Sequence, residues 1–125
     1  MPTVYNTPAF LRLQESSQSG EKTMTGVYVT MFEDYDKNPW VFTRGSVDLS
    51  NMASLDVILI KISVKTEEDG SYAVYDLITM KGEQPDDQKL IQLHVIPNVY
   101  GVKVEAYQSA GTYRAISMKF FVAKR

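Results

Sequence analysis

Oxygen ligands at alternate positions are the first chemistry this sequence offers. The stretch "DYDKN" sets Asp34, Asp36 and Asn38 two residues apart, the opening spacing of a calcium-binding loop. The continuation breaks that pattern, because Pro39 stands where the loop needs a glycine turn and Gly45 where it needs a bidentate glutamate. The segment therefore reads as a polar turn between strands. His94, in "QLHVIP", is the single histidine, and there is no cysteine. A zinc centre draws on several nitrogen or sulfur ligands, and a nucleophilic triad on a histidine aligned by a carboxylate. His94 reads instead as a half-buried strand residue. Paired carboxylates for glycoside hydrolysis would have to come from Asp34, Asp36, Asp76, Asp86 or Asp87, most of which sit in turn-like segments where aspartate serves local hydrogen bonding. Neither a G-x-G-x-x-G nor a Walker pattern occurs, so nothing cradles a nucleotide. The expectation is a protein that is not an enzyme and takes no metal or other cofactor.

The aromatic residues suggest binding instead. Tyr28, Tyr35, Trp40, Tyr72, Tyr75, Tyr100, Tyr107 and Tyr113 lie in or beside strand-like segments. A flat row of such rings stacks on sugars or unpaired bases, whereas the same rings at the rim of a small core seal it or form a subunit contact. Core and contact roles are the favoured reading; a carbohydrate-binding module with Trp40 and nearby tyrosines as its platform is the alternative. A net charge of −2 argues against binding to duplex nucleic acid, which depends on neutralising phosphates. The charge is unevenly spread: residues 1–98 carry 8 basic and 14 acidic side chains, residues 99–125 carry 5 and 1.

The elements that must position these residues are strands. At 125 residues, 44% apolar and 22% charged, the chain has the size and composition of one globular domain whose stability comes from packing or assembly. Residues 1–22 hold Pro2, Pro8 and the polar "QESSQSGEK", with no sustained period, and are expected to form an extended arm whose "AFLRL" patch can pair or dock. No basic stretch followed by a long apolar run opens the chain, so neither a signal peptide nor a membrane span is expected. From residue 23 onward the pattern is β: "TMTGVYVTMF", "WVFTRGSVDLS", "SLDVILIKISVKT", "SYAVYDLITMKG" and "KLIQLHVIP" alternate with turn-rich segments. Ser50 to Ser54 could add a short helical turn. Ile58, Ile60, Ile62 and Val64 share one face, with Ile60 and Ile62 expected inward. Val57 and Leu59 make the start of that strand apolar on its other face too, so something should cover it. The closing "VKVEAYQSAGTYRAISMKFFVAKR" reads as a hairpin reversed at Gly111. About seven strands and no helix-length period predict an all-β, single-domain sandwich, jelly-roll-like or Ig-like, over residues 23–125 behind the 1–22 arm.

"YGVKVEAYQSAGTYR", with the earlier "VDLS" and "DGSYAVYD", resembles small all-β accessory proteins of tailed phages and of archaeal or bacterial viruses. The resemblance covers roughly residues 47–122 and lies in turn-and-strand signals. It implies a decoration, cement or tail-accessory subunit located in the virion, assembled in the host cytoplasm, that binds a capsid or tail surface and neighbouring copies of itself. No site residue transfers from it. From the residues themselves, the expected interaction positions are Phe10, Leu11 and Leu13 in the arm, Val57 and Leu59 on the outer strand face, Trp40, and the basic Lys119, Lys124 and Arg125.

Overall fold

In this computed structural model, residues 12–34, 40–93, 96–98 and 100–124 are described, and of residues 12, 13, 40–44, 97, 98 and 124 the backbone alone. Among these residues ten strands follow one another: β1 (Arg12–Glu15), β2 (Gly20–Thr23), β3 (Val29–Asp34), β4 (Trp40–Asp48), β5 (Val57–Lys65), β6 (Tyr72–Lys81), β7 (Leu90–Gln92), β8 (Ile96–Asn98), β9 (Val102–Ala110) and β10 (Ala115–Lys124). No helix occurs among the described residues. Around Ser50 to Ser54, where a helical turn was expected, the chain instead makes two successive turns closed by the Met52 N–H to the Leu49 carbonyl and the Asp56 N–H to the Ala53 carbonyl, each at 3.1 Å.

The strands form two antiparallel sheets. In the first, β10 pairs on one side with β4 and on the other with both β1 and β2 in tandem, β1 against Phe121–Lys124 and β2 against Ala115–Met118. β4 in turn pairs on its outer side with β8 and β7, also in tandem. Each tandem pair is one broken edge strand, so this sheet is four strands wide. The second sheet runs β3-β9-β5-β6. Counting the tandem pairs once gives eight strands in the orders 1-8-3-6 and 2-7-4-5: first beside last, second beside second-last, third beside sixth, fourth beside fifth. That is a ribbon rolled up on itself, the jelly roll, and not the Ig-like alternative.

Two sequence expectations are corrected by this wiring. Residues 12–15 and 20–22, assigned to an extended arm outside the sandwich domain, are an edge of its first sheet, for which a polar and exposed edge strand suffices. The closing stretch is not a hairpin either. β9 and β10 lie in opposite sheets, and the turn between them crosses the core. Alternation cannot distinguish these cases, because an inward face reads the same whether the next strand lies beside it or across from it. The "SLDVILIKISVKT" and "SYAVYDLITMKG" stretches do form a true antiparallel pair, β5 with β6.

The core lies between the sheets. From β5 it takes Ile58, Ile60 and Ile62; from β9, Val102, Val104 and Ala106; and from β10, Ile116, Met118, Phe120 and Val122. Phe32 of β3 meets Phe120 of β10 across the gap, ring centroids 5.0 Å apart. Burying an isoleucine side chain contributes roughly 1.5–3 kcal/mol. Ser63 is buried beside Ile62 because a register irregularity between them breaks the alternation, and it leaves Val64 half-exposed.

Ile60→Ala and Ile62→Ala are each expected to cost on the order of 2–5 kcal/mol in urea unfolding. A loss below about 0.5 kcal/mol at both positions, within the range of an ordinary surface substitution, would place these side chains outside the core.

Candidate interaction surfaces

At one end of the sandwich, the loops are tied by buried polar groups. Asp56, 1% exposed, closes the β4–β5 loop. Its carboxylate accepts from the Ala53 N–H at 2.8 Å, the Thr112 N–H at 3.2 Å and the Arg114 Nε at 2.7 Å. Gln108, also 1% exposed, shares the inward parity of Val102, Val104 and Ala106. Its side chain donates to the carbonyls of Ala110 (2.9 Å) and Thr112 (2.6 Å) and accepts from the Arg114 N–H (3.0 Å). A chain that crosses from one sheet to the other leaves backbone groups without ladder partners, and these two side chains supply them. Gly111 is obligatory at this crossing: its φ is +88°, and a Cβ there would sit 2.0 Å from Asp56 Oδ1.

Around this tied end stand Val27, Leu55 and Tyr113, 71%, 79% and 54% exposed. Tyr113 leans on Gly26, where a Cβ would lie 2.8 Å from its hydroxyl, and Leu55 adjoins Asp56. Three large apolar side chains are thus held in water on one loop cluster.

The outer face of the second sheet carries a different layer. Tyr28 and Tyr107 meet edge to face at 4.5 Å, and Lys61 Nζ lies 4.1 Å from the Tyr28 centroid. Glu105 pairs with both Lys61 (3.7 Å) and Lys103 (3.8 Å). Lys65 and Lys103 lie over Tyr72 at 5.1 and 5.5 Å. Burial, followed by the charge and hydrogen bond of Glu33, pushes the Tyr72 phenol up to about 12. Gly101 makes room for this ring, since a Cβ there would stand 3.1 Å from its hydroxyl. This layer is what covers the second apolar face of β5: Leu59 sits directly opposite Tyr107 and is half-buried, as is Val57. Tyr28, Tyr72 and Tyr107 therefore share a face, but ammonium groups occupy the ring faces of Tyr28 and Tyr72, which a sugar or base would need.

The outer face of the first sheet has a groove of about 350 Å³ lined by Ser46, Asp48, Leu90, Ser117, Lys119 and Phe121. The exposed Lys119, expected as a contact residue, is thus on its wall, opposite Ser46 in register. Of the other expected positions, Phe10, Leu11 and Arg125 lie outside the described residues. Leu13 pairs with Ala123, Trp40 with Asn98 and Lys124 with Arg12, their backbones alone being described. The structure brings the β1 and β10 positions together in one sheet and puts Val57 and Leu59 in the other. Of "DYDKN", Asp34 ends β3 and the remainder lies outside the described residues, as does His94. Among the described residues no group of three or more histidine, cysteine or acidic side chains is placed to hold a metal ion. The tied end was missed by sequence reasoning, although Gln108 at an inward position was a usable signal: a buried carboxamide must find partners.

No protein-family model matches the sequence, and neither does any curated protein. Among solved structures, the chain is similar to VP2 of infectious bursal disease virus in a subviral particle, with a TM-score of 0.50 and 15% identity over 90% of this chain and 32% of that one. A mutant VP2 of the same virus, from T=1 particles, gives 0.47 and 14% over 90% and 31%. The likeness is one of fold. The chain spans about a third of the length of these VP2 chains. They come from viral particles, as the sequence resemblance implied, but they are not phage decoration or tail-accessory proteins.

Burial pushes the Asp56 carboxyl up, but the Ala53 N–H, the Arg114 guanidinium and the Thr112 N–H together hold it below the usual carboxylate range. A carboxyl lowered on folding contributes its stability fully above the unfolded value, about pH 4, and loses it as pH falls through the folded one. Thermal stability is therefore expected to drop as pH is lowered below about 4. Asp56→Asn should flatten that part of the profile and cost on the order of 3 kcal/mol at neutral pH, towards the low end for a buried pair because Arg114 is partly solvated. An unchanged acid limb in the variant would refute the assignment.

Proposed function

We propose that this chain is a non-enzymatic structural subunit of a virion, an accessory subunit of decoration or cement type that docks on a shell and on neighbouring copies of itself. The observation that carries the reading is the closed jelly-roll wiring, in a fold shared with a protein that builds viral particles. Physically, a small sandwich without disulfides gains stability by mass action when it docks. It also holds apolar side chains in water at a loop end stiffened from beneath, where a contact costs little ordering. Val27, Leu55 and Tyr113 are the first contact set, and Lys119 with the basic end of β10 a second. The sugar-binding alternative has less support, because the ring faces of Tyr28 and Tyr72 are already occupied.

Light scattering and electron microscopy of the purified chain test this reading. The expected result is closed oligomers or particles that form with rising concentration. Leu55→Asp combined with Tyr113→Asp should weaken that association about tenfold or more, the scale of one interface hot spot, with little change in melting temperature. A chain that stays monomeric throughout and binds on a glycan array would overturn the proposal in favour of a sugar-binding module.

A further inference from the structure

The two edges of the second sheet are treated unusually. Among the described residues β3 ends one side of that sheet, and an edge strand offers unpaired N–H and C=O groups to any extended chain. Gln18, in the turn between β1 and β2, reaches across from the other sheet. Its Nε2 donates to the Glu33 carbonyl at 2.9 Å, and its Oε1 accepts from the Glu33 N–H at 2.9 Å. One carboxamide thus exchanges a donor and an acceptor with one residue, the pair of bonds that a facing residue makes in an antiparallel ladder. Lys22 Nζ takes the Thr30 carbonyl at 2.6 Å on the same edge. On β6, the opposite edge strand, Asp76 Oδ1 accepts from the Leu77 N–H at 2.8 Å, and in the turn that follows it Gln84 Nε2 donates to the carbonyls of Lys81 and Gly82 at 3.1 and 3.0 Å.

We propose that Gln18 is a gate on the β3 edge and that the occupant it excludes is an extended strand of a second copy of this chain. The nature of the occupant follows from the stand-in, since a carboxamide reproduces a backbone peptide group. That the peptide belongs to another copy follows from the symmetry of the caps: both edges of the sheet are engaged by side chains, and copies of this chain are the partners that bring the same edges at equal concentration. Space exists beside the gate, in a cleft of about 360 Å³ between the sheets lined by Gln14, Glu15, Asp34 and Val122. The inference does not depend on the virion reading.

Gln18→Ala tests the gate by sedimentation velocity across a wide concentration range, with hydrogen exchange at the Glu33 amide. In the parent protein this amide should exchange slowly at every concentration. In the variant it should exchange fast when dilute and regain protection as larger species form, with self-association about tenfold or more tighter than in the parent. Adding Glu33→Pro, which removes the edge donor, should abolish the gain. Should Gln18→Ala fail to fold, Gln18→Asn keeps the carboxamide one methylene short and is expected to show the same gain in weaker form. A folded variant that sediments as the parent does, or a gain that survives Glu33→Pro, overturns the proposal.

Discussion

The structure depends on the insertion of β10 between β4 and the tandem β1 and β2 edge. This one pairing joins the first and last of the described strands in a single sheet. It also aims Phe120 at Phe32 in the other sheet and sends β9 to the far side of the core. Once first and last strands are neighbours, the nested order of the remaining strands follows from rolling the ribbon. Few local contacts report on it, since most of the pairings link residues far apart in sequence, a topology that folds slowly for its size.

Crossing between sheets has an electrostatic cost, and Asp56 and Gln108 offset it. Both are buried: Gln108 directs its hydrogen bonds at the backbone of residues 110–114, and Asp56 takes the Thr112 and Ala53 N–H groups and the Arg114 guanidinium. The same network stiffens the loops that present Val27, Leu55 and Tyr113. At the sheet edges, side-chain amides and carboxylates perform a related task by occupying strand groups that would otherwise pair with other chains. Polar side chains at three places thus determine where the molecule is rigid and where it is open to contact, while the apolar core sets only that the sheets face one another.

Much of the fold was legible in the sequence because period-two alternation is a strong signal wherever one face is buried. Ile58, Ile60 and Ile62 were assigned to one inward face correctly from it. Sheet membership was not legible, since the alternation of "VKVEAYQSA" fits a hairpin or a crossing equally well. The edge pieces β1 and β2 escaped detection because a four-residue exposed strand such as "GEKT" carries no hydrophobic pattern; its partner supplies the order. Of the aromatic residues singled out, Tyr28, Tyr72 and Tyr107 share a face, and a sequence cannot show that lysines on neighbouring strands, Lys65 directly opposite Tyr72 among them, will cover it. Gln108 was the one buried polar residue whose parity announced it.

The central claim, that the last two strands lie in opposite sheets with β10 beside β1 and β2, is tested most directly by interstrand nuclear Overhauser contacts in isotopically labelled protein. The account requires backbone contacts from Phe121 to Glu15, and from Ser117 to both Glu21 and Asp48. A continuous ladder of backbone contacts between β9 and β10, with none reaching residues 12–23, would contradict it and restore the hairpin.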